Sequence, residues 1–225
     1  MLNDIERTVA KSLSWIGTVL PLGFKFGAAG LLISVVCFIP KWHIARVLGF
    51  VFLVLSILVA YFFRDPKRET QFEDDEIACP ADGTVLSIKT EEDPNSVVIR
   101  IFLSIFDVHV QRATVTGRTG MIFYNQGTFL FADDPEANKN ERNLIQLFKD
   151  GDPAKYAHVE QLTGAIARRI ECWAKPQEEI KQGDHLGLVR FGSQVAVYLP
   201  KEKVRVMVKE GQKVQGNITV LALWK

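Results

Sequence analysis

Residues 186–199 read Leu-Gly-Leu-Val-Arg-Phe-Gly-Ser-Gln-Val-Ala-Val-Tyr-Leu. β-Branched and apolar residues dominate the run, so it reads as a buried strand. Gly192 interrupts it, and a glycine inside a strand marks a bulge or a close backbone approach. Ser193 follows directly, with its hydroxyl near the preceding carbonyl. By itself the Gly-Ser pair is an ordinary bulge. Outward from this run the same pattern recurs at Val97–Leu103, at Met121–Phe131 around Gly127, at Val204–Val208, and at Val214–Trp224, where Gly216-Asn217 reads as a turn. A short piece around 136–149 is the one helical expectation in this part. Residues 69–225 therefore read as a β-rich domain.

The front end follows another pattern. Residues 26–39 and 47–63 contain no charged side chain, and Pro40-Lys41-Trp42-His43 separates them with a helix breaker, a cation and an interfacial aromatic. Seventeen helical residues span about 25 Å against a hydrocarbon core of about 30 Å. A helix is also expected over residues 2–20. The expectation is an α+β chain: a helical membrane hairpin region over residues 1–68, then the β-rich domain. A cleaved signal peptide is disfavoured, because the apolar runs begin late and no small-residue cleavage site follows the first. Arg7, Lys11 and Lys25 precede the first run and Arg64, Lys67 and Arg68 follow the second, whereas the loop holds only Lys41 and Arg46. The excess of positive charge at the two outer ends puts them, and the body, on the cytoplasmic side.

The formal net charge of the 225 residues is +1, which argues against a protein that coats nucleic acid. That total conceals a division: residues 1–68 carry a net +5 and the remainder a net −4. Cys37, Cys79 and Cys172 are far apart and form no Cys-x-x-Cys, so they read as isolated thiols of a reducing compartment. No clustered metal ligands are visible, and no metal is expected.

Four segments bear chemistry. Cys79-Pro80-Ala81-Asp82-Gly83 is a turn carrying one carboxylate, and Asp-Gly is common in plain turns. Leu103-Ser104-Ile105-Phe106-Asp107-Val108-His109-Val110-Gln111-Arg112 ends a strand in a polar patch. A histidine there is able to move a proton near neutral pH with a carboxylate to orient it, or is simply a satisfied structural side chain. Asn138-Lys139-Asn140-Glu141-Arg142-Asn143 is a solvated loop or a polar clamp for a headgroup. Arg190-Phe191-Gly192-Ser193 is the interrupted strand of the opening.

The order and spacing of these pieces resemble phosphatidylserine decarboxylase, in its short membrane-anchored bacterial form. The resemblance runs from Phe62-Phe63-Arg64-Asp65-Pro66 through Pro80-Ala81-Asp82-Gly83, Leu103-Ser104, Asp107-Val108-His109-Val110 and Asn140-Glu141-Arg142. It continues through Ala167-Arg168-Arg169-Ile170, Gly183, Gly187 and Arg190-Phe191-Gly192-Ser193 to Gly211-Gln212-Lys213-Val214. It implies a proenzyme that cuts itself between Gly192 and Ser193 into a longer chain of residues 1–192 and a shorter one of residues 193–225. Ser193 becomes a pyruvoyl group that forms a Schiff base with the serine amine of phosphatidylserine, and decarboxylation gives phosphatidylethanolamine. No metal takes part.

By the same resemblance His109 is the proton donor to the product carbon, and Asp82 matches a relay residue of the self-cleavage. Arg142, Arg168 and Arg169 are candidates for the lipid phosphate. Longer members carry a second histidine where this chain has Arg112, and arginine does not act as a base at neutral pH. His109 is therefore expected to serve both steps, supported by Asp82. The implied setting is the cytoplasmic face of a bacterial inner membrane, with lipid and membrane as partners, no nucleic acid, and room for a homo-oligomer. Two other readings stand beside it. One is a decarboxylase of another serine-headgroup lipid such as archaetidylserine. The other is a membrane-anchored hydrolase using Ser193, His109 and Asp82, against which counts the absence of a Gly-x-Ser-x-Gly elbow.

Overall fold

A computed structural model describes residues 20–68, 70–90, 95–130, 139–165, 169–190 and 193–225. The helix expected over 2–20 lies outside these residues except for Leu20, and so do Gly192, Arg168 and Asn138. The chain forms two compact units, divided between Pro66 and Lys67.

In the described part of the first unit two helices pair, α1 (Leu20–Phe38) and α2 (His43–Phe62). Helix α2 is long and apolar enough to cross a membrane, and the apolar stretch Gly23–Phe38 of α1 is shorter. Their contact is made of small residues. A side chain at Gly23 would strike Phe63, one at Gly30 would strike the Ser56 hydroxyl, and one at Gly49 would press on Ser34 O and Phe38. Ser34 Oγ donates to Gly49 O across the pair at 2.7 Å, and Ser56 Oγ donates to Phe52 O at 2.7 Å. The large apolar side chains point the other way: Phe24, Phe26, Leu32, Val36, Val47, Phe50, Ile57 and Leu58 are all exposed.

Among the described residues the second unit holds fifteen strands. These are β1 (Glu76–Ala78), β2 (Gly83–Lys89), β3 (Ser96–Leu103), β4 (Val110–Arg112) and β5 (Gly117–Asn125). Next come β6 (Arg142–Lys149), β7 (Asp152–Tyr156), β8 (His158–Leu162), β9 (Ile170–Cys172) and β10 (Glu179–Ile180). The last are β11 (His185–Val189), β12 (Ser193–Pro200), β13 (Val204–Val206), β14 (Lys213–Val214) and β15 (Val220–Trp224). A nine-stranded sheet has the order β10-β5-β6-β8-β12-β3-β2-β14, with β7 paired to β6. Two three-stranded sheets, β4-β11-β9 and β1-β15-β13, complete the unit.

Strands β3 and β12 lie at the middle of the large sheet and are buried on both faces, which explains their near-continuous apolar sequence. One face of this pair adds Ile99, Ile101, Leu103, Val195, Val197 and Leu199 to the main core, together with Ile145, Leu147, Val159 and Leu186. On the other face Val98, Ala196 and Leu162 pack together against Tyr198.

Three sequence expectations change. The helical piece around 136–149 is strand β6 from Arg142 onward, and its burial alternates, with Asn143, Ile145 and Leu147 inward. Apolar side chains on both faces of that strand imitate a helical period. The run Met121–Phe131 stops as a strand at Asn125. The single strand expected over 186–199 is two strands in two different sheets, β11 in the small sheet and β12 in the large one.

Candidate active site

The break at 190–192 crosses between strands of two different sheets, and two other connections in the chain do the same. Strand β12 pairs antiparallel with β3, Ser193 opposite Leu103, and with β8, Gln194 opposite Leu162. Strand β11 pairs antiparallel with β4, Leu188 opposite Val110, and with β9, Val189 opposite Ile170. So three strands of the large sheet (β3, β8 and β12) join three strands of the small sheet (β4, β9 and β11), through the connections 104–109, 163–169 and 190–192. The middle connection carries the Gly192–Ser193 bond. His109 is one residue from Val110, on the neighbouring connection.

The register also fixes what shares this end of the large sheet. Arg142, Leu162, Gln194, Phe102 and Thr84 stand in one row across five strands. The next position outward holds Thr163, whose N–H donates to Glu141 O at 3.0 Å, then Ser193 and Leu103. Asp82 immediately precedes β2, two strand spacings from β12, or about 10 Å.

Ser193 is fully buried, and its Oγ makes no hydrogen bond to a described residue. His109 is fully buried as well, with Nδ1 2.9 Å from the main-chain oxygen of Asp107. A carbonyl only accepts, so Nδ1–H is the donor, and in the neutral ring Nε2 holds the lone pair. The Asp107 carboxylate does not orient the ring through that contact. It caps its own turn, accepting from Ser104 N at 2.9 Å and Ser104 Oγ at 2.7 Å.

Asp82 belongs to a separate knot. Both of its carboxylate oxygens accept from the Arg68 guanidinium, and Oδ1 also accepts from Gly216 N at 2.8 Å. Asn217 sits in the left-handed region at φ 52°, which asparagine tolerates, and its Nδ2 donates to Arg68 O at 3.0 Å. Arg112 joins the same knot through its N–H to Pro80 O at 2.9 Å and Nη1 to Gly183 O at 3.1 Å. Burial pushes the neighbouring Cys79 thiol up to about 12, so it stays protonated in the folded chain.

In the described part of the polar run, residues 139–143, Asn140 and Asn143 turn inward while Lys139 is exposed. Asn140 is buried, donates to Leu130 O and Thr163 O at 2.9 and 2.8 Å, and accepts from Thr128 Oγ1 and Leu130 N. The Tyr124 phenol is pushed up to about 12, first by its hydrogen bond to the Glu141 carboxylate. Arg142 is half-buried with Nε 3.8 Å from Glu160 Oε1, and Arg169 is exposed on the third crossing. Sequence reading missed Arg68, taken for a membrane-flanking cation, and the buried amides Gln111 and Gln161. Glutamines inside apolar strand pattern were the only signal.

A family model described as phosphatidylserine decarboxylase matches residues 55–222. The chain belongs to the phosphatidylserine decarboxylase family. The known function of that family is pyruvoyl-dependent decarboxylation of phosphatidylserine. The phosphatidylserine decarboxylase proenzyme of Carboxydothermus hydrogenoformans is 43% identical over 180 residues, covering 77% of this chain and 83% of that protein. Proteins of the same name from Pelagibacter ubique and Saccharopolyspora erythraea are each 35% identical, covering 89% and 98% of this chain and 94% of each relative. Members of the family are named as proenzymes, which implies a cut precursor and a pyruvoyl group. Among the described residues no group of three His, Cys, Asp or Glu side chains converges on a metal position.

Proposed function

We propose that this chain is a membrane-anchored proenzyme that cuts itself between Gly192 and Ser193 and decarboxylates phosphatidylserine to phosphatidylethanolamine. The observation that carries the reading is the position of Ser193, buried at the head of β12 on the middle crossing, with His109 on the crossing beside it.

In the cut, Ser193 Oγ adds to the Gly192 carbonyl while His109 Nε2 takes the hydroxyl proton. The peptide C–N bond breaks as the ester forms. Elimination of the ester leaves dehydroalanine, and water converts it to the pyruvoyl group with release of ammonia. The Ser193 environment fits such a group, because the position is enclosed and Oγ has no described hydrogen-bond partner to lose. The pyruvoyl group supplies a carbonyl that accepts electrons as carbon dioxide leaves. The chain's own residues do the rest. The closed surroundings of Ser193 favour loss of the substrate carboxylate's charge. His109 returns a proton to the substrate carbon. Asp82 contributes through the knot it forms with Arg68 and Gly216, which fixes the turn ahead of β2. Arg142, Arg168 and Arg169 are the cations for the lipid phosphate; of these, Arg142 opens β6 and Arg169 immediately precedes β9.

The hairpin is read as inserted in a bilayer. Its small and hydroxyl-bearing residues face each other and its large apolar residues face out, the arrangement suited to lipid and not to water. Helices of 19 and 20 residues are about 28 and 30 Å long, against a hydrocarbon core of about 30 Å. The excess of cations outside the hairpin supports a body on the cytoplasmic side of a bacterial membrane.

Intact mass under denaturing conditions tests the reading. The parent should give two pieces, residues 1–192 and a 33-residue piece 193–225 without a free amino terminus. A Ser193→Ala chain should remain whole and inactive on phosphatidylserine vesicles. An uncut parent that decarboxylates, or a cut parent that does not, overturns it.

A further inference from the structure

A line of carboxamides runs between the two sheets and ends on His109. Asn143 Nδ2 on β6 donates to Gln161 Oε1 on β8 at 2.9 Å. Gln161 Nε2 donates to Gln111 Oε1 on β4 at 2.8 Å, and Gln111 Nε2 donates to His109 O at 2.8 Å. Gln111 and Gln161 are 0% exposed and Asn143 2%. The line passes over Gly187 of β11, which stands in register with Gln111 on one side and Cys172 on the other. A Cβ at Gly187 would lie 2.7 Å from Gln161 Nε2 and would strike Glu171 O. The sequence therefore keeps an empty place on the middle strand for this glutamine to cross.

Packing alone does not call for such a line. Apolar side chains of similar volume fill a space between sheets without the desolvation that buried amides suffer. The distinguishing property is direction. His109 O only accepts, so Gln111 must offer its NH₂ there, and its oxygen must then accept from Gln161. Gln161 in turn must accept from Asn143. One carbonyl thus dictates the orientation of all three amides, and aligned amides polarise and stiffen one another. His109 is fixed twice, at its ring by Asp107 O and at its carbonyl by Gln111.

We infer that Asn143, Gln161 and Gln111 are positioning residues, which hold the backbone at His109 so that the imidazole stays in place beside the Gly192–Ser193 crossing. The inference rests on the proposed role of His109. The amides touch neither substrate nor the bond that is cut.

Gln161→Glu in the full chain, in detergent micelles, separates positioning from mere structure. The side chain keeps its shape, but an ionised carboxylate has no proton to donate to Gln111, whereas a protonated one does. Burial raises the pKa of such a carboxyl toward neutrality. Expected is a cut about tenfold to a hundredfold slower than the parent's near pH 8, recovering as pH falls toward 6, the reverse of a histidine base. The turnover number of the cut form should follow the same profile, with KM for phosphatidylserine changed less than twofold. A parent-like rate and profile overturn the inference, as does a loss that low pH does not restore in a chain with parent-like circular dichroism. If Gln161→Glu does not fold, Gln111→Met is read by the same assays, and a parent-like rate overturns the inference. His109→Ala runs in parallel. If His109→Ala cuts and turns over normally, the reading of His109 fails; if it does neither while Gln161→Glu behaves as parent, only the positioning inference fails.

Discussion

Asp82 and Arg68 are ionic partners whose side chains are 11% and 8% exposed. At that depth the loss of either partner leaves a charge without compensation, a cost of about 3–5 kcal/mol. Arg68→Met is therefore expected to lower the unfolding free energy, read from urea titration, by that amount, while Arg68→Met with Asp82→Leu recovers most of it. A single variant as stable as the parent would show that the pair contributes nothing. Neither partner announces the other in the sequence. Arg68 lies in a run of cations at the end of an apolar stretch, where a flanking role is the simpler reading. Its contacts to Asp82 and Gly216 lie 14 and 148 positions away. His109 stood out in the sequence as a histidine in a polar patch, open to two readings; the fold adds that it is fully buried with Nδ1 held by Asp107 O. Arg112 was legible only as a departure; the fold adds that it ties Pro80 to Gly183.

Among the elements, the strand-rich body was readable from β-branched runs, and the apolar hairpin from its lack of charge. The partition of 186–199 into two sheets was not readable, because apolar residues on both sides of Gly192 give one unbroken pattern. Strand β6 was mistaken for helix for a related reason: Leu144 and Phe148 lie on the face opposite Ile145 and Leu147, so no clean alternation survives. The helix contact was hidden too, since glycine reads as a helix-weakening residue until its neighbour is known. Gly30→Leu is expected to push α1 off Ser56 and to lower the thermal midpoint in detergent by several degrees. Leu32→Ala, on the outward face, should shift it by no more than about a degree. Equal shifts would mean that the glycine stripe is not the packing seam.

At the scale of the whole molecule, the position of β12 governs what a cut at 192–193 leaves behind. The strand is paired along its length to β3 and over five residues to β8, and β14 and β15 of the same C-terminal stretch pair with β2 and β1. A piece of residues 193–225 would thus be woven through two sheets, and it is expected to stay in place in native buffer. Folding before the cut is unimolecular, and afterwards it requires two chains to meet. The urea midpoint of the cut protein should therefore fall on dilution, by the logic of mass action, while that of uncut Ser193→Ala stays constant. A midpoint independent of dilution in both would show that the pieces do not separate on unfolding. A cut at the head of a central strand would thus change the molecularity of folding: the precursor would carry the instructions for assembly on one chain, and the cut form would depend on how many of its halves are nearby.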